Sequence, residues 1–182
     1  MRNFLIRPYI SDDFGPITRL WRRAREQALP DFQRRKGHTF AEDQEYFWTV
    51  TLMENDLWVA ELDEKSVAFM AIGGDFIDQL YVDPDYQRQG LGRGLIEYAK
   101  SLSPEHLWLY TLQINTNARA FYEQNGFRPV KFGLSPPPES EPDVEYHWEN
   151  HLNPRLDLHS EAAGDWGPRL SLRSPHSGLG SR

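Results

Sequence analysis

The sequence contains no cysteine among its 182 residues, which excludes several classes of protein. It can form neither a disulfide framework nor a zinc site built from thiolates, and it has no cysteine nucleophile. The G-x-S-x-G turn that presents a serine nucleophile is also missing. No apolar run approaches the roughly 20 residues that a transmembrane helix needs. These absences favour a non-membrane protein whose chemistry needs no covalent enzyme intermediate.

Positive charge is also scarce, since 27 acidic residues against 20 basic ones leave a formal net charge of −7. Phosphate backbones require a basic surface, so nucleic acid is not expected as the main partner. Two basic clusters, Arg22 to Arg25 and Arg34 to Lys36, are expected on solvent-facing surfaces of the first helix and the loop after it. The charged N-terminus resembles a first strand rather than a secretory signal, so we expect a cytoplasmic protein without a membrane partner.

The most informative segment that is present runs from Asp83 to Leu95. An apolar strand, Phe76 to Val82, leads into an Asp-Pro turn, a short glycine-rich loop and the start of an amphipathic helix. Glycines let successive backbone N–H groups point into one concavity, and the helix N-terminus adds roughly half a positive charge. The segment therefore predicts a site for a phosphate or pyrophosphate.

Two familiar phosphate loops do not fit this segment. A Walker A loop needs Gly-Lys followed by Ser or Thr, whereas Gly92 is followed by Arg93 and Gly94. The dinucleotide pattern G-x-G-x-x-G fails because position 95 is leucine. The remaining pattern is Gln87-x-x-Gly90-x-Gly92.

A second motif follows the next apolar strand, Leu107 to Leu112. It reads Asn115-x-x-Ala118-x-x-Phe121-Tyr122-x-x-x-Gly126-Phe127. The spacing places Ala118, Phe121 and Tyr122 on one helical face, and Gly126 suits the left-handed residue that ends a helix. The pattern predicts a helix between two strands.

The two motifs together resemble those of the GNAT superfamily of acyl-CoA-dependent N-acetyltransferases, over roughly residues 3 to 150. The resemblance implies an α/β (α+β) fold with a mixed, twisted sheet of about seven strands and helices on both faces. We expect residues 1–152 to form this domain and residues 153–182 to form a flexible C-terminal tail, because the tail is rich in Ser, Gly, Pro and Arg.

The resemblance implies transfer of an acetyl group from acetyl-CoA to a primary amine, by direct attack in a ternary complex and without a metal. Two alternatives remain open: an acyl-CoA sensor without turnover, and an interaction protein that acts through its tail. The acceptor could be a small polyamine, an antibiotic, an amino acid or a protein amine. A homodimer is possible, since many relatives of this fold dimerise.

The resemblance also assigns roles to individual residues. Tyr122 would be the general acid for the departing thiolate. Asp78 is the candidate general base, since the fifth strand carries Tyr110 and Thr111 but no acid, and a water chain that ends at Asp78 or at a backbone carbonyl would serve equally well. Asn115 would bond the pantetheine arm or hold the strands apart. Other cofactor contacts would come from backbone groups of Leu80, Tyr81 and Val82, from loop amides of Gln89, Gly90, Leu91, Gly92 and Arg93, and from Gln87 and Arg88 at the loop entrance.

Several local features carry their own expectations. Thr39-x-x-Glu42 has the form of a capping box that opens a helix. Residues His38, Asp43 and Glu45 near that helix are expected on the surface. The helix after the glycine loop is expected to bury Leu91, Leu95, Ile96, Ala99 and Leu102. His147 and His151 are four residues apart, but their segment resembles a strand, so no metal site is expected there.

Overall fold

The computed structural model describes residues 4–136 and 140–150. The predicted tail, residues 153–182, and His151 lie outside the described residues. No helix in the described part of the chain is both long enough and apolar enough to cross a membrane.

Seven strands form one mixed sheet within the described residues, which confirms the predicted fold class. Their order across the sheet is β1-β2-β3-β4-β5-β7-β6, and every neighbouring pair is antiparallel except β4 and β5. The strands are β1 (Leu5–Pro8), β2 (Asp56–Leu62), β3 (Lys65–Gly73), β4 (Phe76–Val82), β5 (His106–Leu112), β6 (Arg128–Leu134) and β7 (Pro142–Glu149).

Helices cover both faces of this sheet. They are α1 (Phe14–Ala28), α2 (Pro30–Lys36), α3 (Phe40–Tyr46), α4 (Leu52–Glu54), α5 (Leu91–Leu102) and α6 (Thr116–Gln124). A π-helical segment, Phe47–Thr51, joins α3 to α4. The Thr39 hydroxyl accepts a hydrogen bond from the Glu42 N–H, and the Glu42 carboxylate accepts one from the Thr39 N–H, which confirms the capping box.

Alternation along the strands divides the core between the two faces. The cluster on the α5 face contains Leu95 and Ile96 from α5, together with Leu107 and Leu109 from β5. The cluster on the α1 face contains Ile17, Leu20 and Trp21 from α1, with Phe47 and Phe69. Successive side chains of a strand point to opposite faces. His106, Trp108 and Tyr110, which alternate with Leu107 and Leu109, therefore point to the α1 face.

Parallel strands β4 and β5 meet at one end and part at the other. Phe76 lies opposite Trp108, and the Trp108 N–H donates to the Asp75 carbonyl at 3.0 Å. Beyond this pair, no residue of the described part of β4 is paired with a residue of β5. The C-terminal halves of the two strands therefore border a gap. This gap lies directly before the glycine loop that follows β4.

The structure corrects several local expectations. Leu102 was expected in the core but is 44% exposed, because it lies in the last turn of α5, whereas Leu91, Leu95, Ile96 and Ala99 are buried as expected. The basic cluster Arg34 to Lys36 was expected in a loop but forms the last turn of α2. Pro30 begins this helix at its first turn, where its missing N–H costs no helical hydrogen bond.

Candidate active site

The glycine loop presents convergent backbone donors at the N-terminus of α5. Arg88 has a φ of +59° and Gly90 a φ of +91°, so two residues of the loop adopt left-handed conformations. Left-handed residues beside a helix N-terminus can turn successive N–H groups toward one concavity, as in an anion-binding nest. The helical ladder begins when the Gly94 N–H donates to the Gly90 carbonyl at 2.8 Å, so the N–H groups of Leu91, Gly92 and Arg93 precede it. The arrangement suits a pyrophosphate.

The three glycines of this segment are required for different reasons. At Gly90 the left-handed φ alone favours glycine, although a Cβ there would meet no described atom within 4 Å. At Gly92 a Cβ would lie 3.2 Å from the ring of Phe121 in α6. At Gly94 it would overlap the ring of Phe4. Glycines at 92 and 94 therefore allow α5 to pack closely against its neighbours.

Side chains at the loop entrance hold the turn before the helix. Gln87 donates to Gln27 of α1 at 2.9 Å and to the Val82 carbonyl at 3.3 Å. The guanidinium of Arg23 pairs with Asp83 and Asp85, each at 2.9 Å. Helix α1 thus anchors the turn. The side chains of Arg88 and Arg93 are exposed beside the concavity, and that of Gln89 is half-buried.

Backbone groups of β4 face the gap at alternate residues. The Asp83 N–H donates to the Val67 carbonyl of β3 at 2.8 Å, so the Val82 carbonyl in the same peptide unit points the other way. The backbone groups of Leu80 share that direction, toward the gap, whereas those of Tyr81 face β3. Leu80 and Val82 therefore direct backbone groups toward the gap, where an extended arm could bond them, although the Val82 carbonyl already accepts a hydrogen bond from Gln87.

Asn115 lies where β5 ends and α6 begins. Its side-chain oxygen accepts a hydrogen bond from the Ala118 N–H at 3.1 Å, which caps the helix. This bond leaves the amide N–H groups of Asn115 as its available donors at the end of the gap. Gly126 ends the same helix region with the expected positive φ, +87°.

Tyr122 is buried against the α5 face, with 8% of its surface exposed. Its ring packs against the rings of Phe121, Phe127 and Tyr146, with centroids 5.3 to 6.3 Å apart. Burial raises the pKa of Tyr122 above its ordinary value, and the nearby phenol of Tyr81 raises it further. The hydroxyl is therefore protonated at neutral pH, as a proton donor must be.

Asp78 is the extra residue of a β-bulge in β4. Ile72 of β3 lies opposite Ile77 and Ala71 lies opposite Gln79, so Asp78 has no register partner. Its carboxylate accepts a hydrogen bond from Asn55 at 3.1 Å. Bulges re-aim side chains and are common beside active sites. Here the bulge directs Asp78 and Gln79 toward the segment after α3, since Gln79 donates to Thr51 at 3.1 Å.

Asp43 was expected on the surface, but it is 1% exposed. Arg22 and Arg25 of α1 donate to its two oxygens at 2.9 and 3.1 Å. The arginine cluster expected on a solvated face therefore contributes to a buried ion-pair network. His38 is half-buried and Glu45 is exposed. The network borders a pocket of about 450 Å³ between α1 and α2.

Sequence reasoning missed the partner of Tyr110. The Tyr110 hydroxyl on β5 donates to Glu145 of β7 at 2.9 Å. A carboxylate thus reaches the fifth strand from its neighbour, although β5 itself carries no acid. The alternation of apolar and polar residues from Val144 to Trp148 was the one available signal for this contact. It indicates a strand, but it does not reveal which strand would lie beside β5.

Comparison with known proteins places this geometry among acetyltransferases. The family model described as an acetyltransferase (GNAT) domain matches residues 54–129. The peptidyl-lysine N-acetyltransferase YjaB of Salmonella typhimurium is 36% identical over 110 residues, which cover 60% of this chain and 72% of that protein. The ribosomal protein bS18-alanine N-acetyltransferase of Escherichia coli is 48% identical over 50 residues, covering 25% of this chain and 34% of that protein.

A solved structure agrees with the sequence comparison. The solution structure of apo-form YjaB from Escherichia coli superposes with a TM-score of 0.69 and 25% sequence identity. The superposition covers 80% of this chain and 97% of that chain. The matched family region contains the glycine loop, the gap and Tyr122.

Proposed function

Since this chain belongs to the GNAT superfamily of N-acetyltransferases, we propose that it acetylates the side-chain amine of lysine in a protein or peptide by direct transfer from acetyl-CoA. The chain is an acyltransferase, and the family uses acetyl-CoA and amine acceptors. The proposed part is the acceptor, the route of transfer and the residues that carry it out. The alternative of a sensor without turnover is not favoured, since the relatives are named as N-acetyltransferases.

The observation that carries the proposal is the continuity between the loop and the gap. The nest of amides from Gly90 to Arg93 fits a pyrophosphate, because its donors converge and open space surrounds Gly90. The gap-facing backbone groups of Leu80 and Val82 fit the amides of the pantetheine arm. Asn115 lies at the far side of the same gap. Together these groups fit an acyl-CoA, with Gln87 and Arg88 at the loop entrance.

The chemistry needs little from the protein beyond position and proton transfer. Bound acetyl-CoA supplies the activated acetyl group. A backbone N–H of β4 would polarise the acetyl carbonyl, and Tyr122 would donate its proton toward the departing sulfur. Asp78, held by Asn55, lies on β4 as the candidate base for the amine. The positions of these groups would supply much of the acceleration.

Charge and relatives both support a cationic acceptor. The net charge is −7, and β5 is bordered by Asp75, directly before β4, and by Asp143 and Glu145 of β7. Such carboxylates attract an ammonium group. Lysine side chains are the acceptors named for the Salmonella typhimurium relative. A cytoplasmic location, a homodimer and a separate domain at residues 1–152 stay predictions.

Two peptides test the acceptor. One carries a single lysine behind a blocked N-terminus, and the other has a free N-terminal alanine but no lysine. We expect thiol release from acetyl-CoA and one added acetyl group, found by mass spectrometry, on the lysine peptide. Acetylation of the alanine peptide alone would contradict the lysine proposal. Binding of acetyl-CoA without transfer to either peptide or to small amines would instead support the sensor.

A further inference from the structure

Five side chains form a continuous hydrogen-bonded chain on the α1 face of β5 and β7. We call it the β5–β7 chain, and its members in order are Tyr110, Glu145, His147, His106 and Asp75. Tyr110 donates to Glu145 at 2.9 Å, and the second oxygen of Glu145 lies 2.7 Å from His147 Nε2. His147 Nδ1 lies 3.1 Å from His106 Nε2, and His106 Nδ1 lies 3.0 Å from Asp75.

Proton counting shows that this chain has two states. The three contacts from Asp75 through both histidines to Glu145 each need one N–H proton. Two neutral imidazoles carry only two such protons, and ionised carboxylates supply none. All three hydrogen bonds therefore form only after one further proton has been added. Loss of that proton breaks one bond, so the histidine pair is a store for a single exchangeable proton.

The carboxylate of Asp75 at one end of the chain and the phenol of Tyr110 at the other end favour storage of this proton by the histidine pair. Burial alone would raise the pKa of Asp75, but hydrogen bonds from His106 and Trp108 outweigh it and the net pKa is lowered. Asp75 therefore stays ionised near neutral pH. Burial and the bond to Glu145 raise the pKa of Tyr110, so its hydroxyl stays protonated and donates to Glu145. Imidazole gains and loses a proton in this pH range.

The position of the chain links the gap to solvent. Tyr110 follows Trp108 on β5, beyond the point where β5 and β4 part, so it borders the gap. Tyr122 belongs to the α5 face, whereas Tyr110 points to the α1 face. At the other end the Asp75 side chain is 51% exposed, compared with 18% for Glu145. A proton that enters at Tyr110 can therefore leave through Asp75.

Other charged groups face the chain from neighbouring strands. Arg128 and Lys131 of β6 lie in register with His147 and Glu145, and Glu149 lies opposite His106. Arg128, Lys131 and Glu149 are exposed, so solvent screens their charges. Asp143 of β7 is buried, and its charge helps to raise the pKa of Tyr110, so it acts on the chain together with the direct contacts.

We propose that the β5–β7 chain, in place of the candidate base Asp78, removes the proton from the acceptor ammonium before acetyl transfer and acts as a proton relay. The proposal rests on the function proposed above. An N–H bond of the ammonium breaks as the Tyr110 oxygen takes that proton. The proton of Tyr110 passes to Glu145, and from Glu145 to His147. The products are a neutral amine and a chain with one added proton, which leaves through His106 and Asp75 to water. Tyr110 touches the amine, whereas the other four residues act through it.

The pH profile of transfer to the lysine peptide tests the relay. In Glu145→Gln we expect kcat/KM near pH 7 to fall roughly 10²-fold, the scale of a lost base. The defect should shrink as the pH approaches about 10.4, because free lysine then loses its proton in water. Glu149→Gln, on the same strand and exposed, is the matched control and should match the wild type. A defect that stays constant across this range would overturn the relay.

Heteronuclear NMR of the imidazole rings tests the relay without turnover. We expect His106 and His147 to titrate as a coupled pair and Glu145→Gln to change both titration curves, while Glu149→Gln changes neither. Independent titration, with both curves unchanged in Glu145→Gln, would overturn the relay. Coupled titration in a chain that acetylates no amine would overturn the proposed function, and with it the catalytic use of the relay. Acetyl-CoA affinity should be equal in all three proteins.

Discussion

Phe76 of β4 lies opposite Trp108 of β5, with their ring centroids 4.4 Å apart. This aromatic contact joins the two parallel strands at one end and marks the point from which they separate. The gap beyond it is bordered by backbone groups of β4, by Tyr110 of β5 and by Asn115. The proposed acyl-CoA site and the proposed relay therefore depend on one strand separation.

Replacing Gly92 by valine should weaken acetyl-CoA binding by at least about tenfold, or about 1.4 kcal/mol. A Cβ at this position would lie 3.2 Å from the Phe121 ring, so α5 and its N-terminal amides would shift. Isothermal titration measures the effect. Gly15→Val is the matched control, because a Cβ in that α1 glycine meets only the flexible end of Arg19 at 3.3 Å. Equal affinities in the two variants would contradict the loop assignment.

Replacing Tyr122 by phenylalanine should lower kcat by about 10²-fold or more, as expected for loss of a general acid. Acetyl-CoA affinity should change little, since the ring packing on Phe121 and Phe127 is retained. Steady-state kinetics with a binding titration separates the two effects. Tyr98→Phe serves as the control, because Tyr98 of α5 packs against Trp58 of β2, away from the gap. Unchanged turnover in Tyr122→Phe would remove this hydroxyl from the mechanism.

Replacing Asp43 by asparagine should lower the free energy of unfolding by about 3 kcal/mol, because two arginines lose a buried anionic partner. Asp31→Asn removes an exposed pair, in which the side chains of Arg34 and Asp31 are 77% and 87% exposed, and should cost less than about 0.5 kcal/mol. Urea unfolding of both variants measures the difference. Similar losses in the two variants would show that Asp43 contributes no more than a surface residue.

Asp13 should make stability depend on acid pH. Burial alone would raise its pKa, but hydrogen bonds from Arg7, Ser66 and the Ile10 N–H outweigh burial and lower it. The unfolded carboxyl titrates near about 3.9, so the contribution of Asp13 is complete above that pH and is lost as the pH falls through the lower folded value.

Asp13→Asn should therefore destabilise the protein at neutral pH and flatten the fall in stability below about pH 4. The exposed neighbour variant, Asp12→Asn, should keep the wild-type slope. Urea unfolding across the acid range compares the two slopes. A wild-type slope in Asp13→Asn would assign the acid sensitivity to other carboxyls.

Local sequence patterns predicted most of the secondary structure. The strand Phe76–Val82 has the predicted bounds, and Gly126 ends its helix with the predicted left-handed φ. The capping box at Thr39 is present as predicted. These features depend on neighbours within a few residues, so periodicity and glycine placement reveal them. Leu102 was misjudged because the hydrophobic spacing continues past the point where the sheet stops covering the helix.

The sequence by itself determined the family, the glycine loop and the position of Tyr122, because each depends on short-range spacing and on backbone freedom that only glycine allows. Only the tertiary structure decided that Asp43 is buried between Arg22 and Arg25, and that Tyr110 meets Glu145. Those partners are 18 to 35 residues apart in sequence. Their meeting depends on helix packing and on the register of β5 against β7, which no local pattern in one chain encodes.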